Sequence, residues 1–166
     1  MKRLFLSAIV AILLLSAFAQ PTTIDKLYKH SGDIMLARVV KVDEYVINYI
    51  LPDEQVQRTI GKLAIEKIVY GDGETEEISK KIAVNGKNDW DKVLIVYEAT
   101  AVAGLKKGED ISGKTPYWSV SNISKEEIQN KSIKNLKQAA ARDYYAPIVL
   151  ILSDQKSFKE GVVYYY

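Results

Sequence analysis

Ile34-Met35-Leu36-Ala37-Arg38-Val39-Val40-Lys41-Val42 alternates along its length, with Ile34, Leu36, Arg38, Val40 and Val42 on one side. That is the period-two pattern of a β-strand, and Ser31-Gly32-Asp33 before it and Asp43-Glu44 after it supply the turns that bound it. Tyr45-Val46-Ile47-Asn48-Tyr49-Ile50 follows, rich in aromatic and β-branched residues, and stops at the turn-formers Pro52-Asp53. Gln55 to Ile60 predicts a returning strand. Leu63-Ala64-Ile65-Glu66 predicts one helical turn leading into Lys67-Ile68-Val69-Tyr70, and Asp72-Gly73 is a two-residue hairpin signal ahead of Thr75 to Ser79. From Thr22 to about Ile82, strand follows strand, as in a small antiparallel β-meander.

Between Lys80 and Lys92 apolar periodicity lapses and Asn85-Gly86-Lys87-Asn88-Asp89 clusters turn-forming residues, which predicts a boundary. Beyond it, Val93-Leu94-Ile95-Val96-Tyr97 is a continuous apolar run, as in a strand covered on both faces. Ala101 to Leu105 and Asp110 to Lys114 read as shorter extended pieces around Lys106-Lys107-Gly108. Ser124-Lys125-Glu126-Glu127 is a capping box, and the helix it opens is expected to run to about Tyr144, with Ile133, Leu136, Ala140 and Tyr144 at helical spacing. Pro147 blocks continuation. Ile148 to Leu152 and Gly161 to Tyr166 then predict two more strands. The expected fold class is α+β: an antiparallel β-meander over residues 20–82, then a two-layer α/β module with one long helix over residues 90–166.

Residues 1–19 have the three-part layout of a cleavable secretory signal: Lys2 and Arg3, an apolar run from Leu4 to Leu15, and the small-residue exit Ala17-Phe18-Ala19. The apolar core is shorter than the roughly 18 residues a membrane-spanning helix needs. These residues hold two bases and no acid, so removing them from a chain with 23 Lys and Arg leaves 21 against 21 Asp and Glu. A near-neutral mature chain lacks the electrostatic footprint of a nucleic-acid binder. Cysteine is absent, so stability has to come from burial rather than disulfides. The expected location is the periplasm or the exterior, with no stable membrane insertion after cleavage.

Side chains for covalent or metal chemistry are sparse. His30 is the one histidine, beside a turn, where a solvated loop residue is expected. Asp72, Glu74 and Glu76 could offer oxygen ligands to calcium, although the hairpin explains them equally. Ser153-Asp154-Gln155-Lys156 has the Ser-x-x-Lys spacing but follows a strand and lacks the companion motifs of the enzymes that use it. Trp90, between Asp89 and Asp91, fits a lid on the core better than a sugar platform. The distinctive group is aromatic: eleven tyrosines against three phenylalanines, with Tyr117-Trp118, Tyr144-Tyr145 and Tyr164-Tyr165-Tyr166 adjacent. Tyrosine combines an apolar ring with a polar tip, which suits contact surfaces. Tyr117, Trp118 and Tyr165 are the expected binding residues; no catalytic residue, metal ligand or cofactor is expected.

Ile24-Asp25, Gly32-Asp33-Ile34, Arg38-Val39-Val40-Lys41-Val42, Val46-Ile47-Asn48-Tyr49, and Ile65-Glu66-Lys67-Ile68-Val69-Tyr70 with the turn Gly71-Asp72-Gly73 together resemble a family of exported, uncharacterised proteins of Gram-negative bacteria. The resemblance implies a β-rich domain and no assigned reaction. Leu136 to Ala141 running through Ala146-Pro147-Ile148-Val149-Leu150 is similar to the helix-into-strand signature of small bacterial domains named for heavy-metal binding, with Tyr144-Tyr145-Ala146-Pro147 replacing their usual corner. The expectation is an exported, non-enzymatic binding or assembly module of the cell envelope, contacting an envelope protein or a glycan. A periplasmic protein binding a small ligand or metal is the alternative, and a small hydrolase a third reading.

Overall fold

The computed structural model describes residues 24–115, 124–155 and 157–166; the signal-like segment 1–19, Tyr117 and Trp118 lie outside the described residues. Six strands, β1 (Asp25–Lys29), β2 (Ile34–Val42), β3 (Val46–Ile50), β4 (Arg58–Gly61), β5 (Ile65–Val69) and β6 (Thr75–Glu77), form one antiparallel sheet in the order β4-β3-β2-β1-β5-β6. Neighbours in sequence pair from β1 to β4, β5 returns to the free edge of β1, and β6 hairpins onto β5. One 3-10 turn, Lys62–Ala64, links β4 to β5. The inner face carries Leu27, Ile47, Ile65 and Ile68, all fully buried.

Alternation in β2 identified which residues share a side, but the inward side is the other one. Met35 and Ala37 lie opposite Leu27 and Asp25 of β1, and directly opposed residues of an antiparallel pair share a face. Leu27 is in the core, so Met35 and Ala37 point inward while Ile34 and Leu36 point out, about half exposed at 54% and 51%. A β-bulge between Val39 and Lys41 then breaks the register against β3. It returns Val42 to the core side and leaves Val40 outside.

The second sheet consists of β7 (Leu94–Val96), β8 (Lys106–Lys114), β9 (Ile148–Gln155) and β10 (Phe158–Tyr165), in the order β7-β9-β10-β8. β7 runs parallel to β9 and the other pairs are antiparallel. The chain is therefore α+β: two sheets and one long helix, α1 (Lys125–Ala139). Its capping box is formed, with Ser124 Oγ accepting the Glu127 amide at 3.2 Å and Glu127 Oε2 accepting the Ser124 amide at 2.9 Å. Ser132, Leu136 and Ala140 face the sheet at i, i+4 spacing. The helix crosses β8 at Gly113, where a Cβ would lie 2.5 Å from the Ser132 carbonyl oxygen and 2.6 Å from the Leu136 amide nitrogen. The α-helix stops at Ala139 and widens into a π-turn over Ala140–Tyr144.

Lys106, Lys107 and Gly108 belong to a continuous β8, and Ala99–Val102 forms a 3-10 turn in place of an extended piece. That turn is where the two sheets meet: the Gly61 amide, at the end of β4, donates to the Ala103 carbonyl at 2.8 Å. Both faces of the second sheet are consequently covered. Val149, Ile151 and Val163 pack under α1, while Ile148 and Leu150 pack against Val102 on the other side. Ile148 to Ile151 is thus a strand buried on both faces, as an unbroken apolar run predicts.

Candidate functional site

The outer face of β1 and β2 is the largest apolar feature that the fold leaves uncovered. Registered pairs place Leu36 beside Lys26 and Val69 in one row, and Ile34 beside Tyr28 and Lys67 in the next. Val40, 45% exposed at the bulge, and Ile24, 37% exposed at the start of β1, extend the patch. Exposed Lys26 and Arg38 stand among these side chains. Lys67 places its ammonium 5.2 Å from the centre of the Tyr28 ring and lies opposite Glu77 of β6.

Asp25 holds the bulge that shapes this face. It is buried; one carboxylate oxygen accepts the Val39 amide at 2.7 Å and the other accepts the Gly71 amide at 2.9 Å. A strand with one extra residue leaves an amide without its ladder partner. The carboxylate replaces that partner and also ties down the β5–β6 turn. Lys41 and Asp43 pair just beyond the bulge, and Asp43 accepts from Asn48 at 2.7 Å.

His30 lies at the seam between the two sheets and is buried, contrary to its expected place in a solvated loop. The turn after β1 is pinned because the His30 amide donates to the Ala64 carbonyl at 3.0 Å. Its ring meets that of Tyr166 edge to face, with centroids 4.8 Å apart. Nε2 is 2.9 Å from Ser79 Oγ, and the Ser79 hydroxyl donates to the Ile65 carbonyl at 2.7 Å. One hydroxyl carries one hydrogen, so in this arrangement Nε2 donates to Ser79. Lys81 donates to the His30 carbonyl at 2.9 Å, and the Tyr166 hydroxyl accepts the Ile82 amide at 3.1 Å.

Beside this seam runs an open groove of about 470 Å³ lined by Lys29, Glu66, Lys80 and the His30–Ser79 pair. Burial lowers the His30 pKa, Glu66 opposes that, and Lys81 adds to it. Serine next to histidine is one ingredient of nucleophilic catalysis. Here the hydroxyl proton goes to a main-chain carbonyl and the Ser79 amide to the Glu66 carbonyl at 3.3 Å, which is the bonding of a strap between strands. Ser79 was not singled out in the sequence, because its partner is 49 residues away.

Tyr165 is half-buried. Its ring packs into the core beneath α1 and its hydroxyl donates to the Tyr144 carbonyl at 3.2 Å. Burial raises its pKa, with Tyr144 and Glu109 adding to the effect. Tyr164 and Tyr166 turn to the opposite cluster, so all three terminal tyrosines are partly covered because both faces of the sheet are covered. Trp90 packs against the core under α1 with the Lys134 ammonium 4.9 Å from its ring centre. Asp72 accepts the Glu74 amide at 3.0 Å and Glu76 accepts the Tyr70 hydroxyl at 2.5 Å. Among the described residues no group of three His, Cys, Asp or Glu converges as metal ligands, and no helix is long and apolar enough to cross a membrane.

Comparisons with protein-family profiles, with curated proteins and with solved structures return no match.

Proposed function

We propose that this chain is an exported, non-enzymatic binding module of the bacterial envelope, periplasmic or secreted, and that the outer face of β1 and β2 is its contact surface. The reading of export rests on the basic, apolar and small-residue succession of residues 2–19. The observation that carries the binding role is the exposure of Ile34, Leu36 and Val40 side by side on a sheet whose opposite face already forms a core.

The occupant is a partner protein segment that alternates aliphatic side chains with carboxylates. Covering three half-exposed aliphatics contributes on the order of 1 kcal/mol each. That falls short of the several kcal/mol association costs. Attraction to Lys26 and Arg38 has to supply part of the rest, and it selects an acidic partner.

A photoreactive residue in place of Leu36, in the full chain within producing cells, is expected to give a discrete protein adduct. Lys26→Glu with Arg38→Glu removes that adduct, and the same probe in place of Val56, 67% exposed elsewhere, does not form it. An adduct indifferent to the charge reversals overturns this reading. So does a crosslink to a second copy of the chain, or co-flotation with phosphatidylglycerol vesicles in place of a protein adduct.

A further inference from the structure

Tyr145 is the only non-glycine residue with positive φ among the described residues, at φ 53° and ψ 30°. Left-handed backbone just past a helix belongs to glycine or asparagine, because any Cβ is crowded there. A tyrosine in that position costs stability and gains nothing as a helix terminator. Nor does its ring recover the cost by packing, since it is 58% exposed. The π-turn that delivers it, Ala140–Tyr144, is itself a rare conformation that recurs at functional sites. Strain held at a solvent-facing aromatic is an observation that function explains and folding does not.

The ring stands at the rim of a pocket of about 280 Å³ lined by Asn85, Gly86, Lys87, Asn88 and Asp89. Gly86, at φ 153°, brings main chain up to the ring: a Cβ built there would be 3.9 Å from Tyr145 Cε1. The pocket wall is braced from within. Asp89 accepts the Asn85 amide at 2.9 Å through one oxygen and the Lys92 ammonium at 2.6 Å through the other, and its own amide donates to the Gly86 carbonyl at 3.0 Å. These bonds, Lys92 foremost, hold the Asp89 carboxyl below the usual range and therefore ionised. Asn85 and Asn88 are exposed on the same loop.

An exposed aromatic face beside a rigid loop of amides and one fixed carboxylate is the donor and acceptor set that recognises a sugar. The ring covers the apolar C–H face of a pyranose, amide N–H and C=O groups pair with vicinal hydroxyls, and a carboxylate accepts two of them. We infer that the Tyr145 ring and the Asn85–Asp89 loop form a saccharide subsite, separate from the outer face of β1 and β2. Helix end and loop are 56 or more residues apart in sequence, and the packing of the π-turn against the 3-10 segment Lys87–Lys92 unites them.

Calorimetric titration of the full chain with chitotetraose and with cellotetraose is expected to show millimolar or tighter binding to at least one of them. Tyr145→Gly is expected to weaken it by about tenfold or more, the equivalent of one lost aromatic contact, while raising the melting temperature because glycine accepts the left-handed backbone without strain. Asn88→Ala weakens binding with little change in melting temperature, and Tyr97→Ala, an exposed tyrosine elsewhere, leaves it unchanged. Absence of binding to both oligosaccharides at about 10 mM overturns the inference. So does Tyr145→Gly binding as the parent does, or a Tyr145→Gly chain that melts lower.

Discussion

The carboxylate of Asp25 accepts the main-chain amide of Val39 at 2.7 Å, across from the one place where β2 carries an extra residue. Its other oxygen serves Gly71 at 2.9 Å, so a single buried side chain fixes both the bulge and the β5–β6 turn. Asp25→Ala leaves two amides without partners, and each hydrogen bond to a charged group contributes about 1.5–3 kcal/mol. A loss of roughly 3 kcal/mol in urea unfolding is expected, with water taking up part of the deficit. A loss below about 1 kcal/mol would show that the bulge holds itself.

His30 makes stability depend on pH in a defined direction. Its pKa is lowered in the folded chain, chiefly by burial, so the unfolded chain binds a proton first as pH falls. Above the unfolded value near 6.5 the imidazole is neutral in both states and its full contribution is present; stability falls from there down to the folded pKa. Urea titrations between about pH 8 and pH 5 are expected to show a steeper acid loss for the native chain than for His30→Gln. Parallel curves would mean that His30 titrates alike in both states.

Lys159 has 1% of its side chain exposed and pairs with Asp154, which is 43% exposed. Burial lowers the Lys159 pKa. Asp154→Ala leaves a buried ammonium without its counter-charge, a change that costs about 3–5 kcal/mol in a fully buried pair and less here because water reaches the aspartate. Lys159→Met removes the charge while keeping the volume, and is expected to be near neutral. In the Lys159→Met background Asp154→Ala should then cost little. Additive losses in this double-mutant cycle would count against the pair.

At the crossing of α1 over β8, Gly113→Ala forces a methyl to within 2.6 Å of two helix backbone atoms. Backbone yields less readily than a side chain, so a cost of roughly 2 kcal/mol or more is expected. Leu136→Ala, removing a fully buried side chain on the same helix face, is expected to cost about 2–5 kcal/mol. Thermal unfolding checks both; a neutral Gly113→Ala would mean the helix sits farther from the sheet.

Local chemistry by itself determined much of the architecture. The capping box at Ser124–Glu127 names its helix start because both of its bonds lie within four residues, and Ile148 to Ile151 names a doubly covered strand because its apolar run has no polar side to expose. Alternation in β2 determined which residues move together. What it left open was the side facing the core, since Ile34, Leu36 and Val40 are as apolar as Met35, Ala37 and Val39. Pairing with Leu27 of β1 decided that, and a bulge anchored by Asp25 reversed it part-way along the strand. Contacts between distant segments decided the remaining sites: Ser79 reaches His30, and the loop at Gly86 reaches Tyr145. Hydrophobic periodicity reports a residue's neighbours on its own element, whereas burial, tautomer and strain are imposed by whatever element packs against it.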